Sequence, residues 1–130
     1  MSLAGEISEK KVEESLKSTS GWIKVNQLGV LDRKLVKSIM SKSLAGIVTF
    51  HPHLNHIESQ PNKMFEYMSA GLPVIASNFP LWKLIIEGNK CGICVDPKKP
   101  DQIANAIDFL IENPKVAIAM GENGKKSIMN

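Results

Sequence analysis

Ala45-Gly46-Ile47-Val48-Thr49-Phe50, a polar stretch from His51 to Gln60, a segment from Pro61 to Gly71, and then Leu72-Pro73-Val74-Ile75-Ala76 form the part of the sequence that decides the fold. The first run is apolar on both faces, which suits a strand of a parallel sheet covered by helices on both sides. Pro61 predicts a helix start, because its missing N–H is no loss in a first turn. Met64, Phe65 and Met68 fall on the inward side of that helix. Gly71 ends it, glycine being the residue best able to take the left-handed cap conformation. Leu72 to Ala76 predicts a second buried strand.

The same alternation extends outward. Upstream, Ser8 to Ser18 is charged with Val12 and Leu16 one turn apart, a surface helix. Trp22 to Leu28 is strand-like and closed by Gly29, and Asp32 can cap a helix whose Leu35, Val36, Ile39 and Met40 form one face. Downstream, Pro80 to Glu87 predicts a helix ended by Gly88, and Ile93-Cys94-Val95 a short strand. Asp101 begins an amphipathic helix with Ile103, Ala106, Ile107, Leu110 and Ile111 on one face. Asn113-Pro114 breaks it, and a last helix runs from Pro114 toward Gly121. Strands and helices in alternation with short connections imply an α/β, Rossmann-like, mostly parallel sheet with helices on both faces. No repeat, low-complexity tract or linker divides the sequence, so residues 1–130 are expected to form one domain.

Composition narrows the function classes. At 43% hydrophobic and 22% charged residues, the 130-residue chain is globular rather than disordered. No apolar run approaches the ~20 residues that span a bilayer. The first residues show neither the basic stretch nor the apolar core of a secretory signal, which leads us to expect a cytoplasmic chain. A net charge of +3 is spread among acidic residues, and aromatics are only 5%. A nucleic-acid binder gathers its positive charge and interleaves aromatics, so no nucleic-acid partner is expected. Cys91 and Cys94 form one C-x-x-C without a second pair or suitably spaced histidines, and they lead into a strand. Both are read as reduced, structural cysteines. His51, His53 and His56 are irregularly spaced and fit no helix-borne pair of metal ligands. Trp22 and Trp82 are read as packing residues, with Trp82 near enough to Ser77-Asn78 to border a pocket.

Sheets of this kind bind ligands at the carboxyl ends of their strands, and the longest polar loop, 51–60, leaves such an end. At the helix that follows, unpartnered backbone N–H groups and the positive end of the dipole make a ready phosphate site. Lys63 adds charge there. Glu66, one turn further, can accept hydrogen bonds from the vicinal hydroxyls of a ribose, and Glu58 is the second acidic group at the mouth. A plainer reading fits the same residues: the dipole alone favours acidic residues near helix starts, and Glu58 suits an ordinary loop charge.

Glu58-Ser59-Gln60-Pro61-Asn62-Lys63-Met64-Phe65-Glu66, followed by Tyr67-Met68-Ser69-Ala70-Gly71-Leu72-Pro73-Val74-Ile75-Ala76-Ser77, resembles the E-x7-E signature and following helix–Gly–x–Pro–Val–Ile strand of the retaining GT-B glycosyltransferases of family 4, also called group 1. The likeness reaches back through Val25-Asn26-Gln27-Leu28-Gly29 and on through Cys91 to Pro97 and the Pro100-Asp101 helix, nearly the whole chain. It implies that Glu66 holds the ribose hydroxyls of a donor nucleotide and that Glu58 lies against the donor sugar near its anomeric carbon. Pro61, Asn62 and Lys63 take the positions where the helix start approaches sugar and diphosphate. Gly29 and Val30 resemble the edge of the base pocket. The implied donor is a UDP- or GDP-type sugar, used without a bound metal or other cofactor, because helix dipole and basic side chains take the cation's place.

The resemblance also marks departures. Relatives carry an Arg and a Lys in an earlier strand–loop of this domain, and no residue here matches them. Gly5-Glu6-Ile7-Ser8 resembles the end of the second strand, so the chain is expected to lack the first strand region and the acceptor-binding N-terminal domain. We therefore expect a donor-binding half that transfers no sugar alone, with an exposed sheet edge open to dimerisation. The acceptor would be a saccharide or lipid-linked saccharide, and the full-length protein would sit in the cytoplasm or at the inner face of the membrane. The alternative from another class is a non-catalytic nucleotide- or phosphate-binding or protein-interaction module of doubly wound fold. A response-receiver domain would need an acidic cluster at the first strand ends, which is not seen, and the E-Y-M-S-A-G run argues against a sugar-nucleotide epimerase.

Overall fold

Among the described residues every strand pairing is parallel, and the strands fall into two sheets. The computed structural model describes residues 1–129. Its backbone gathers into two compact units, the first Met1–Ile39 and the second from Met40 onward, within the span expected as one domain.

In the first unit, β1 (Ser2–Ala4) pairs with β2 (Asn26–Gly29) in parallel, the register shifting between Leu3, opposite Gln27, and Ala4, opposite Gly29. Between them come α1 (Lys10–Lys17) and a 3-10 helix over Ser20–Lys24. The strand expected from Trp22 therefore begins only at Asn26. Ser20-Gly21 admits a tight turn, closed by the Trp22 N–H on the Thr19 carbonyl at 3.2 Å and the Val25 N–H on the Trp22 carbonyl at 2.9 Å. The helix α2 (Arg33–Ser41) has the expected cap, the Asp32 carboxylate accepting from the Leu35 N–H at 2.8 Å. Leu35 itself is exposed, whereas Val36, Ile39 and Met40 are half-buried.

The second unit is built on three parallel strands in the order β3 (Gly46–Val48), β4 (Val74–Ser77), β5 (Gly92–Val95). Gly46 lies opposite Val74, and Val74 opposite Gly92. The two faces of the central strand bury different partners, as period-two alternation requires. Val74 and Ala76 join Val48, Met64, Met68, Trp82 and Ile86 in one cluster, under α4 (Asn62–Ser69) and α5 (Pro80–Gly88). Ile75 joins Val95, Ala106, Leu110 and Ala117 in the other, under α6 (Pro100–Glu112) and α7 (Pro114–Met129), numbering the short helix Leu54–Ile57 as α3. Each fully buried aliphatic side chain contributes about 1.5–3 kcal/mol. This is the α/β architecture expected from the sequence, with helices on both sides of a parallel sheet.

Helix ends explain where the sequence reading holds and where it slips. At α4, Gly71 has φ 75°, the Leu72 N–H donates to the Tyr67 carbonyl at 3.0 Å and the Gly71 N–H to the Met68 carbonyl at 3.0 Å. This is the double bond pattern of a glycine-terminated helix. At α5 the same pattern falls two residues later than expected. Gly88 stays helical, and Lys90 takes the left-handed conformation with φ 53° while the Cys91 N–H reaches the Ile86 carbonyl at 3.0 Å. At α7 the helix runs through Gly121, because that glycine serves as a contact: a Cβ there would strike the Gly71 carbonyl. Ile111 is 58% exposed and lies off the buried face of α6. Among the described residues no helix is long and apolar enough to cross a membrane.

Candidate donor-binding site

The carboxyl ends of β3 and β4 open onto the segment that leads into α4. From Thr49 the chain crosses the polar stretch, which folds into α3 rather than remaining irregular. The Ile57 N–H donates to the His53 carbonyl at 2.9 Å, and the Ser59 hydroxyl to the His56 carbonyl at 3.1 Å. His56 Nδ1 lies 3.3 Å from the His51 carbonyl, and since a carbonyl only accepts, Nδ1 carries the hydrogen in that pairing. The His56 ring stands 4.8 Å from the Phe50 ring. Among the described residues no three His, Cys, Asp or Glu side chains are grouped to hold a metal.

The two ends of this stretch are gripped from the last residue of β4 and from α5. The Ser77 hydroxyl, on a side chain with 0% exposure, donates to the Phe50 carbonyl at 2.7 Å. The Trp82 indole N–H donates to the Ser59 carbonyl at 2.6 Å, and Trp82 is also 0% exposed. Sequence reading placed Trp82 as a packing residue at the pocket's border and did not single out Ser77 for the site. The signal was present in the residue types: a buried indole N–H or hydroxyl seeks a partner, and the nearest chain lacking regular partners is this loop.

Pro61 is the N-cap of α4, one residue before the first helical position, with φ −69° and ψ 134°. No side chain caps this end. The Met64 N–H turns back to the Pro61 carbonyl at 3.1 Å, leaving the amides of Asn62 and Lys63 pointing outward at the positive end of the helix. Asn62, Lys63, Glu66 and Glu58 are exposed, and Pro61 is half-buried. Glu66 lies in the second turn, and its negative charge adds to burial in raising the Tyr67 hydroxyl above its usual range. The mouth is an open surface. Two concavities of about 460 and 490 Å³ lie away from it, on α5 beside Lys83 and Leu84 and between β5 and α6 beside Ile93 and Phe109.

Glu58, Pro61, Asn62, Lys63 and Glu66 thus share one continuous segment around a single helix start. Gly29 and Val30 belong to the first unit. There Gly29 ends β2 with φ 69°, and Val30 is 77% exposed.

The GDP-mannose-dependent alpha-(1-6)-phosphatidylinositol monomannoside mannosyltransferases of two Mycobacterium tuberculosis strains are 36% identical to the chain over 61 residues, which cover 47% of this chain and 16% of each enzyme. The structure of sucrose-phosphate synthase from Thermosynechococcus elongatus superposes with a TM-score of 0.74 at 20% identity, covering 98% of this chain and 32% of that one. That likeness shows the fold. Set beside these relatives, the chain spans only a minor share of their length. Residues 1–127 match the family described as glycosyl transferases group 1, and the chain belongs to that family, whose architecture is GT-B.

Proposed function

We propose that this chain is the donor-binding half of a retaining glycosyltransferase that moves a hexose from a nucleotide-diphosphate sugar to a saccharide acceptor. The observation that carries the reading is the uncapped start of α4, with Glu66 one turn inside it and Glu58 on the held loop before it. The amides of Asn62 and Lys63 and the Lys63 ammonium meet the diphosphate as charge grows on the leaving group. Glu66 accepts hydrogen bonds from the ribose hydroxyls, and Glu58 orients the sugar near its reacting carbon. These groups need no metal, since helix dipole and lysine meet the phosphate charge. One carboxylate is engaged by ribose, so the pair does not serve as the two flanking carboxylates of a retaining glycosidase. The work is positioning and charge stabilisation of an oxocarbenium-like state. The mannosyltransferase likeness makes a GDP-linked hexose the first donor to try.

Amide shifts of the labelled chain titrated with GDP, UDP and their hexose conjugates test the reading. Binding in the millimolar range, on the order of 4 kcal/mol, is expected because α4 meets the diphosphate without a matching Arg–Lys pair. Shifts should centre on residues 58–66, and the chain alone should transfer no sugar. An absence of shifts there at about ten millimolar ligand would overturn the reading.

A further inference from the structure

We propose that Trp82 is a positioning residue, whose indole N–H, together with the Ser77 hydroxyl, holds the two ends of the 51–60 loop and so fixes where Glu58 meets the donor sugar. The proposal rests on the donor-binding reading above and extends it to side chains that touch no ligand. Ser77 and Trp82 are both fully buried, and each spends its polar hydrogen on a loop carbonyl rather than on its own element. Ser77 takes the entry carbonyl, on Phe50, and Trp82 the exit carbonyl, on Ser59. The indole also stands edge-on to the Phe50 ring at 5.7 Å, so one side chain touches both ends.

Packing alone does not require this arrangement. A Phe or Leu would fill the same interior, but only an indole carries a donor out to the Ser59 carbonyl. Ser59 directly follows Glu58, and between Ser59 and α4 stand only Gln60 and Pro61. Proline fixes its own φ, here −69°, and restricts the residue before it. A shift at Ser59 therefore passes to Glu58 on one side, with little slack to absorb it on the other. Glu66 is spared, since it belongs to the body of α4 and is held by the helix and its buried Met64 and Met68.

The test replaces Trp82 in the full chain, on a Trp22→Phe background, by 3-benzothienylalanine, which keeps the ring shape and exchanges the N–H for sulfur. Amide exchange at Glu58 and Ser59 should quicken by about tenfold while Ile85 and Ile86 in α5 are unchanged. Affinity for GDP-mannose and UDP-glucose should fall about fivefold, with GDP and UDP binding kept within about twofold. Phe79→Leu, which loosens the same aromatic cluster without a bond to the loop, should lower the melting temperature and leave the ratio of sugar-nucleotide to nucleotide affinity unchanged. Unchanged exchange at Glu58 and Ser59, or equal loss for nucleotide and sugar nucleotide, overturns the positioning role. If the parent chain binds no nucleotide at all, the donor-binding reading falls and takes the donor role of Trp82 with it, whatever the exchange rates show.

Discussion

The Tyr67 ring lies directly over the backbone of Gly46, so close that a Cβ at Gly46 would fall inside contact distance of the ring's first carbons. Those atoms are the stiff root of the side chain and cannot swing aside as a long tip would. The contact sets how near α4 approaches β3, and Glu66 is the residue beside Tyr67 on that helix. Gly46→Ala should therefore destabilise the second unit by about 1–3 kcal/mol, the range for overpacking a filled interior. Urea denaturation measures the loss. Adding Tyr67→Ala should recover part of it, and no recovery would place the strain elsewhere.

Glu66→Ala tests the ribose assignment. The side chain is exposed and its removal leaves the core intact, so thermal unfolding should be nearly unchanged. Nucleotide affinity should drop by roughly 1.5–3 kcal/mol, the scale for hydrogen bonds to a charged group. Calorimetric titration with UDP and GDP decides it, and equal affinity for parent and variant in both would refute the role.

The thiols offer a pH-dependent check. Burial, then the Glu87 carboxylate, push the Cys94 thiol up to about 12, and burial raises Cys91 as well. The folded protein thus holds these protons more tightly than the unfolded chain, whose thiols ionise near the usual ~8.5. The stabilising contribution is complete below that value and is lost as pH climbs toward 12. Denaturation midpoints should hold steady from neutral pH to about 8 and then fall, and Cys94→Ala should flatten that alkaline limb. Iodoacetamide at pH about 8 should modify the native chain at least roughly tenfold more slowly than the urea-unfolded one.

Lys90 occupies a backbone conformation that glycine prefers, with φ 53° at the end of α5. Lys90→Gly should stabilise the chain by about 1 kcal/mol, the usual penalty for a side chain there. The Asn123 amide reaches the Lys90 carbonyl at 3.1 Å, a bond the substitution leaves in place. A urea midpoint below that of the parent would contradict the expectation.

Much of this was legible in the amino-acid order, and the exceptions have physical causes. Val74-Ile75-Ala76 could only be a strand buried on both faces, and Gly71 before it could serve the helix end without strain. The end of α5 falls past the expected Gly88 because that glycine carries the stronger local signal, while the turn geometry is set by where Ile86 and Cys91 pack. Trp22 looks strand-like in its neighbourhood, yet Ser20-Gly21 lets the backbone coil before β2 starts. In the candidate site, the residues of the α4 mouth were readable from helix electrostatics and spacing. The grip of Ser77 and Trp82 was not, since it joins positions 27 and 23 residues apart and depends on tertiary placement.

Gly121 against the Gly71 carbonyl bears on the order in which the molecule assembles. The end of α4 is seated by a helix made only after β4, α5, β5 and α6. During synthesis, then, α4 can coil and β4 can be made, but the helix carrying Glu66 has no final seat until residues 114–129 arrive. Ligand affinity would switch on once α7 is made rather than grow steadily with chain length. Nascent chains halted before and after α7 would differ in nucleotide binding far more than in helix content.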